Sequence, residues 1–126
     1  MPIKILIVED EAISAMALKY AVERLGCAVV AVVDTGEAAI QAAAEHRPDL
    51  ILMDTRLRTR MTGVEAASAI WEQLLIRSVF ISAYSAAELE EDYRGALPLT
   101  LLLKPVLEGD LERLIKQLFD LDLQNA

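Results

Sequence analysis

Charged and hydroxyl side chains follow four of the short apolar runs in this sequence. Glu9 and Asp10 follow the first run, Asp54 the third, Ser82 the fourth and Lys104 the fifth. Convergent carboxylates repel one another unless a cation joins them, and oxygen ligands without His or Cys favour Mg²⁺, or Mn²⁺, over zinc. A nearby lysine and hydroxyl can contact phosphoryl oxygens while a carboxylate oxygen serves as the nucleophile. These residue types therefore indicate phosphoryl-transfer chemistry, provided that the fold brings them together.

Each of these residues, taken singly, also has an ordinary structural interpretation. An acidic pair before a helix is favoured by the helix dipole, and a serine after a strand can cap the next helix. A lone aspartate is typical of a turn, and a lysine before a proline is typical of a solvated loop. The combination, with one such group at the carboxyl end of each relevant strand, is what favours a functional site.

Short apolar runs alternate with longer helical patterns along the chain. The runs are near-continuous rather than alternating in polarity, as in strands that are buried on both faces. This order predicts an α/β fold with a parallel sheet, helices on both faces and ligands beyond the carboxyl ends of the strands. The predicted strands are 3–8, 28–33, 50–53, 79–81 and 99–103, and the predicted helices are 11–25, 37–47, 64–75, 86–95 and a last one carrying Leu111, Leu114, Ile115 and Leu118.

The composition excludes several other classes of protein. The 126 residues are enough for one domain, so we expect a single domain over 1–126 with no output domain. A net charge of −8 argues against direct binding of nucleic acid, and the single Cys27 excludes an internal disulfide or a multi-cysteine metal cluster. The apolar runs are too short for membrane insertion and the amino terminus does not resemble a signal peptide, so we expect a cytoplasmic protein.

Five segments together resemble the receiver domain of two-component response regulators. The resemblance covers essentially the whole chain. It implies a flavodoxin-like (βα)5 fold, a doubly wound parallel sheet with strand order 2-1-3-4-5, and a cis peptide bond between Lys104 and Pro105. The segments are 5–11, 48–54, 63–66, 80–84 and 103–105.

The resemblance also implies roles for individual residues. Asp54 would accept a phosphoryl group from a phosphohistidine on a sensor histidine kinase or a histidine phosphotransfer protein. Mg²⁺ would be bound by Asp10, Asp54 and the backbone carbonyl of Arg56, with help from Glu9, and Ser82 and Lys104 would contact the phosphoryl group. The chain would then catalyse only the phosphorylation and dephosphorylation of its own aspartate.

Phosphorylation would draw Ser82 inward and change the surface formed by the fourth helix, the fifth strand and the fifth helix. That surface would bind an unknown output protein or form a homodimer. Leu101 stands where the family usually has an aromatic switch residue, and Tyr84 is a candidate substitute for that residue. The loop after Asp54 is one residue longer than is common and rich in arginine, and Arg56 is its candidate for tuning dephosphorylation.

Two alternatives remain open on the sequence. One is a pseudo-receiver that binds partners without being phosphorylated. This alternative is favoured by Leu101, which stands where the family usually has an aromatic residue. The other is an aspartate-nucleophile phosphatase of the dehalogenase type, which needs a second acid where Arg56 stands. A nucleotide-binding fold is disfavoured because acids, not a glycine-rich loop, follow the first strand.

Overall fold

The computed structural model describes residues 2–57, 60–83 and 100–119. The predicted helix at 86–95, and Leu99 of the predicted fifth strand, lie outside these residues. Within the described ranges no helix is long and apolar enough to cross a bilayer. The elements in chain order are β1 (Lys4–Val8), α1 (Ala12–Arg24), β2 (Ala28–Val33), α2 (Gly36–His46), β3 (Leu50–Asp54), α3 (Gly63–Leu74), β4 (Ser78–Ser82), β5 (Leu101–Leu103) and α4 (Glu108–Leu118).

The five strands form one parallel sheet in the order β2-β1-β3-β4-β5. This confirms the strand order and the doubly wound fold that the sequence predicts. Because all the strands run in the same direction, the residues that follow β1, β3, β4 and β5 meet at one edge of the sheet. The observed topology therefore brings these chain segments together, as the sequence predicts.

Burial of the strands depends on their place in the sheet. All five residues of β3 are buried, and β1 and β4 are buried apart from their first residues. The expectation that every strand is buried on both faces is wrong for β2 and β5, where Val32 is 42% and Leu103 55% exposed. These are the two edge strands, which have a neighbour on one side only.

Side chains of the central strands alternate between two hydrophobic clusters. Leu6 and Val8 of β1 belong to the first core cluster, on the side of α2 and α3. Ile5 and Ile7 belong to the second core cluster, on the side of α1 and α4. The same alternation assigns Leu50 and the other even-numbered residues of β3 to the second side.

The amino terminus of α3 is fixed by a capping box that the sequence analysis did not identify, although its Thr-x-x-Glu pattern is visible. The Glu65 backbone N–H donates to Thr62 Oγ1 at 3.1 Å, and the Thr62 N–H donates to Glu65 Oε1 at 2.9 Å. These bonds satisfy two backbone donors at the start of the helix. Residue 63 is thereby held against the end of β3.

Gly63 brings the start of α3 close to the end of β3. A Cβ atom built on it would lie 1.8 Å from the carbonyl oxygen of Asp54. The Gly63 backbone N–H also donates to the carbonyl of Thr55 at 3.2 Å. Since the obstructing atoms are backbone, they cannot move aside as a flexible side chain would.

We therefore expect Gly63→Ala to lower the free energy of unfolding by about 3 kcal/mol, the upper end of typical overpacking costs. The matched control is Gly109→Ala in α4, where the added Cβ would meet only Arg113 Nη1, at 4.0 Å. The control should raise stability by about 0.5–1 kcal/mol, because alanine loses less backbone entropy in a helix. Urea denaturation of both variants measures the difference, and equal stabilities would contradict the role given to Gly63.

Candidate functional site

Strand register places three of the predicted site residues on the same side of the sheet. Val8 pairs with Met53, so Glu9 and Asp54 are adjacent one step further along. By the alternation of β1 and β3, both side chains project on the side of the second core cluster. Leu102 belongs to the same cluster, so Lys104 has the matching orientation at the end of β5. The three side chains line one cleft of about 280 Å³, together with Asp10, Glu11, Arg56 and Ala83.

The cleft contains a cluster of carboxylates. One oxygen from each of Glu9, Asp10 and Asp54 lies within 4.8 Å of the others. Glu9 is 3% and Asp54 4% exposed. Like charges at this spacing, two of them removed from water, require positive charge or protons to balance them. An all-oxygen donor set of this size fits a hard divalent cation such as Mg²⁺.

Lys104 supplies part of that positive charge. Its Nζ lies 3.1 Å from Asp54 Oδ2 and 3.3 Å from Glu9 Oε1. The Lys104 backbone N–H donates to the carbonyl of Ser82 at 2.8 Å, so pairing between β4 and β5 positions the lysine. The Lys104–Pro105 peptide bond is cis, which confirms that prediction. One ammonium group leaves a cluster of three carboxylates only partly neutralised.

The crowding shifts the pKa of Glu9. Burial raises the pKa of Glu9 to about 7, with a further rise from the carboxylate of Asp54, while a hydrogen bond from the Glu11 backbone N–H acts in the opposite direction. That bond joins Glu11 N to Glu9 Oε2 at 3.1 Å. Burial acts to lower the pKa of Lys104, but the carboxylates of Asp54 and Glu9 outweigh it and the pKa is raised. Glu9 therefore gains and loses its proton near neutral pH.

Both oxygens of Asp54 have a partner. Oδ1 accepts a hydrogen bond from the Arg56 backbone N–H at 3.0 Å, and Oδ2 accepts one from Lys104 Nζ. These contacts orient the carboxylate within the cleft. The contact between Asp54 and Arg56 is made by the backbone N–H of Arg56. The role of the Arg56 backbone carbonyl as a metal ligand stays a prediction.

Among the described residues predicted to act in switching, Arg56 lines the cleft, whereas Ser82 and Leu101 are not part of its lining. Ser82 is 1% exposed at the end of β4, where alternation directs it to the side of the first core cluster, and Ala83 lines the cleft in its place. Leu101 is half-buried and packs against the first core cluster. Tyr84 lies outside the described residues. The roles given to Ser82, Leu101 and Tyr84 stay predictions.

Thr55 is a structural residue of the site that the sequence analysis missed. It is 2% exposed, its backbone N–H donates to the carbonyl of Ile81 at 3.2 Å, and its own carbonyl accepts from Gly63. It thus joins the end of β3 to both β4 and α3. Its position directly after Asp54 was the only sequence signal for this role.

Comparisons with known proteins agree on the family. The family model described as response regulator receiver domain matches residues 5–116. The transcriptional regulatory protein PdtaR of Mycobacterium tuberculosis is 34% identical over 111 residues, which make up 88% of this chain and 54% of PdtaR. The chain therefore spans about half the length of that curated relative.

Solved receiver domains have the same fold. The signal receiver domain of a modulated diguanylate cyclase from Desulfovibrio desulfuricans G20 is 32% identical, with a TM-score of 0.85 and 93% of each chain covered. The receiver domain of the sensor histidine kinase PA1611 from Pseudomonas aeruginosa PAO1 is 27% identical, with a TM-score of 0.82, over 93% of this chain and 97% of that one. It was solved with a magnesium ion coordinated in its active site cleft.

The pKa of Glu9 predicts how stability depends on pH in metal-free protein. The folded-state value of about 7 exceeds the reference value of 4.5, so the folded state keeps a proton that the unfolded state has lost. This contribution is fully present below pH 4.5 and is lost as the pH rises through 7. Between about pH 5.5 and 8 the loss should be about 2 kcal/mol.

Urea denaturation in EDTA across this pH range measures the effect. Glu9→Gln should remove this part of the pH dependence, whereas Glu72→Gln, at an exposed position of α3, should keep it. An unchanged slope in Glu9→Gln would show that another group is responsible.

Proposed function

The chain belongs to the response regulator receiver domains of two-component signalling, and from that premise we propose that it accepts a phosphoryl group on Asp54. The observation that carries the proposal is the placement of the Asp54 carboxylate. It is buried at the end of β3, oriented by Arg56 and Lys104, and beside two further carboxylates. An aspartate held in this way has an ammonium group ready to offset the charge of an incoming phosphoryl group.

The donor in this proposal is a phosphohistidine on a sensor histidine kinase or a histidine phosphotransfer protein. A carboxylate oxygen of Asp54 forms a bond to phosphorus as the phosphorus–nitrogen bond breaks, and the imidazole leaves with the electron pair and takes up a proton. Lys104 Nζ holds negative charge on the phosphoryl oxygens. The product is an acyl phosphate, which water can later hydrolyse to restore the carboxylate.

The acidic cluster is the proposed binding site for Mg²⁺, with Mn²⁺ as a second possible ion. Glu9, Asp10 and Asp54 would hold it, with the backbone carbonyl of Arg56. The bound cation supplies positive charge that offsets the charge of the phosphoryl oxygens. The all-oxygen donor set, the 4.8 Å spacing and the incomplete neutralisation by Lys104 support this assignment.

Signal output in this proposal depends on partner binding. Ser82 moves toward the phosphoryl group, and the surface that includes β5 and α4 changes its affinity for an output protein or for a second copy of the chain. Arg56, which is exposed on the wall of the cleft, is the candidate for setting the dephosphorylation rate. The net charge of −8 supports a protein partner rather than nucleic acid.

A phosphorylation-independent interaction module is the alternative function. Leu101 favours it, because a half-buried leucine cannot change between the inward and outward positions that an aromatic ring with a polar tip can adopt. The complete set of carboxylates and lysine in the cleft favours the phosphoacceptor. Modification of Asp54 by a small phosphodonor separates the two functions.

We expect acetyl phosphate with Mg²⁺ to add one phosphoryl group to the protein, and Asp54→Asn to abolish the addition because the attacking carboxylate is gone. Asp49→Asn is the control, since Asp49 is an exposed aspartate that precedes the same strand and accepts a hydrogen bond from Lys4. Intact-protein mass spectrometry measures the addition. Persistent modification of Asp54→Asn would reject the assigned acceptor, and no modification of the wild type would favour the interaction module.

Replacing Lys104 by alanine should separate phosphorylation from metal binding. The phosphorylation rate should fall at least about tenfold, because a charged hydrogen bond to the phosphoryl group is lost. Mg²⁺ affinity at pH 8 should be unchanged or higher, because the lysine no longer competes for Glu9 and Asp54. Calorimetric titration of Mg²⁺ and the mass assay test the two halves, with Asp10→Asn as the variant that should weaken Mg²⁺ binding instead.

A further inference from the structure

Two buried hydroxyl groups lie side by side where β3 and β4 end. The last register pair of the two strands joins Asp54 to Ile81. Thr55 and Ser82 each follow one step further along, so they are neighbours. Thr55 is 2% and Ser82 1% exposed. Because adjacent strands lie about 4.8 Å apart, two hydroxyls that face the same way at this point are within reach of one hydrogen bond.

Both hydroxyls project on the side of the first core cluster. Met53 and Phe80, two residues earlier in their strands, belong to that cluster. The bond from the Thr55 N–H to β4 continues the strand pairing by one residue, so the alternation of side chains holds at Thr55 as it does at Ser82. To reach a phosphoryl group on Asp54, Ser82 turns toward the end of β3, and Thr55 is the next residue there.

The hydroxyl of Thr55 is the unusual member of this pair. Its Oγ1 is fully buried and has no hydrogen-bond partner among the described residues. The backbone groups of Thr55 are both used, the N–H by the carbonyl of Ile81 and the carbonyl by the N–H of Gly63. A buried hydroxyl without a partner costs folding free energy, because it has given up its hydrogen bonds to water. Thr55 therefore has an unused donor at the end of β3 in the unphosphorylated protein.

We propose that Thr55 is a positioning residue for the phosphorylated state: its hydroxyl donates to Ser82 Oγ while the Ser82 hydroxyl donates to the phosphoryl group. This inference rests on the proposed function, because it needs a phosphoryl group on Asp54 that Ser82 contacts. Phosphoryl oxygens at this position are acceptors, so Ser82 uses its single O–H for them. The lone pairs of Ser82 Oγ then need a donor, and the hydroxyl of Thr55 supplies it.

The chain of two hydroxyls strengthens the contact with the phosphoryl group. A hydroxyl that accepts a hydrogen bond becomes a better donor, because each bond polarises the next. Thr55 also gains a partner in the phosphorylated protein that it lacks in the unphosphorylated one. Thr55 thereby favours the phosphorylated arrangement of Ser82 without touching the phosphoryl group itself.

Three substitutions separate this role from packing alone. Thr55→Val keeps the branched shape and removes the hydroxyl, whereas Thr55→Ser keeps the hydroxyl and removes a methyl group. Thr100→Val is the matched control, because Thr100 directly precedes β5 at the opposite end of the sheet. Its carbonyl accepts a hydrogen bond from the Phe80 N–H at 2.8 Å, which the substitution leaves in place.

Urea denaturation of the unphosphorylated protein tests whether the Thr55 hydroxyl lacks a partner. Thr55→Val should unfold at the same urea concentration as the wild type or at a higher one, because an unsatisfied buried hydroxyl is removed. A lower midpoint would show that the hydroxyl is already bonded in the unphosphorylated state, and the inference would then be wrong.

Binding of beryllofluoride, an analogue of the phosphoryl group, tests the bond in the presence of Mg²⁺. Calorimetric titration should give an affinity about fivefold weaker in Thr55→Val, the effect of one hydrogen bond. The affinities of Thr55→Ser and Thr100→Val should equal that of the wild type. An unchanged affinity in Thr55→Val, or an equal loss in Thr55→Ser, would reduce Thr55 to a packing residue and overturn the inference.

A double-mutant cycle with Ser82→Ala assigns the effect to the pair. Ser82→Ala should weaken beryllofluoride binding, and Thr55→Val should cause no further loss in that background. The same loss in both backgrounds would show that Thr55 acts without Ser82, which contradicts the proposed bond. A wild type that does not bind beryllofluoride would refute the proposed function, and the inference with it. Binding by the wild type with a failed cycle refutes the positioning role alone.

Discussion

Repulsion among Glu9, Asp10 and Asp54 is the constraint on which the site depends. Their oxygens lie within 4.8 Å of one another, and two of the three side chains are buried. The protein relieves this repulsion in two ways: Lys104 contacts two of the carboxylates, and burial raises the pKa of Glu9 to about 7. Both forms of relief are replaceable, because a proton can leave and a lysine can change partners. An added cation or phosphoryl group therefore changes the balance of charge in the whole cleft.

The fold makes this costly arrangement possible. Parallel pairing of β1 with β3 puts Glu9 beside Asp54, and pairing of β4 with β5 brings Lys104 to the same edge. The large hydrophobic cores on either side of the sheet supply folding free energy that offsets the repulsion. The backbone of Gly63 packs directly against the carbonyl of Asp54 and so restricts movement of the end of β3. A rigid strand end holds charges together that a flexible loop would let separate.

The sequence was sufficient to predict the parts of the structure that depend on the pattern of apolar and polar residues. Near-continuous apolar runs predicted β1, β3 and β4, and the acids and the lysine at the strand ends predicted which side chains meet. The strand order and the cis peptide bond came from the family resemblance. Edge strands were misjudged, because the runs at 28–33 and 99–103 look the same as central ones until the order of strands is known. The close approach of Gly63 depends on how the loop after β3 folds, and the contact of Thr55 with β4 depends on strand pairing; neither is encoded by the pattern of apolar and polar residues.

Lys104 contacts two of the carboxylates at once, so a group that binds its ammonium acts on both of them. Its backbone is fixed to Ser82 in β4, while its side chain lies on the wall of the cleft. Any group that draws the ammonium away from Asp54 and Glu9 leaves two buried carboxylates with less compensation, which favours cation binding in the cleft. Conversely, a phosphoryl group that engages the ammonium would take positive charge away from Glu9. The balance of charge in the cleft therefore depends on which groups the ammonium of Lys104 contacts.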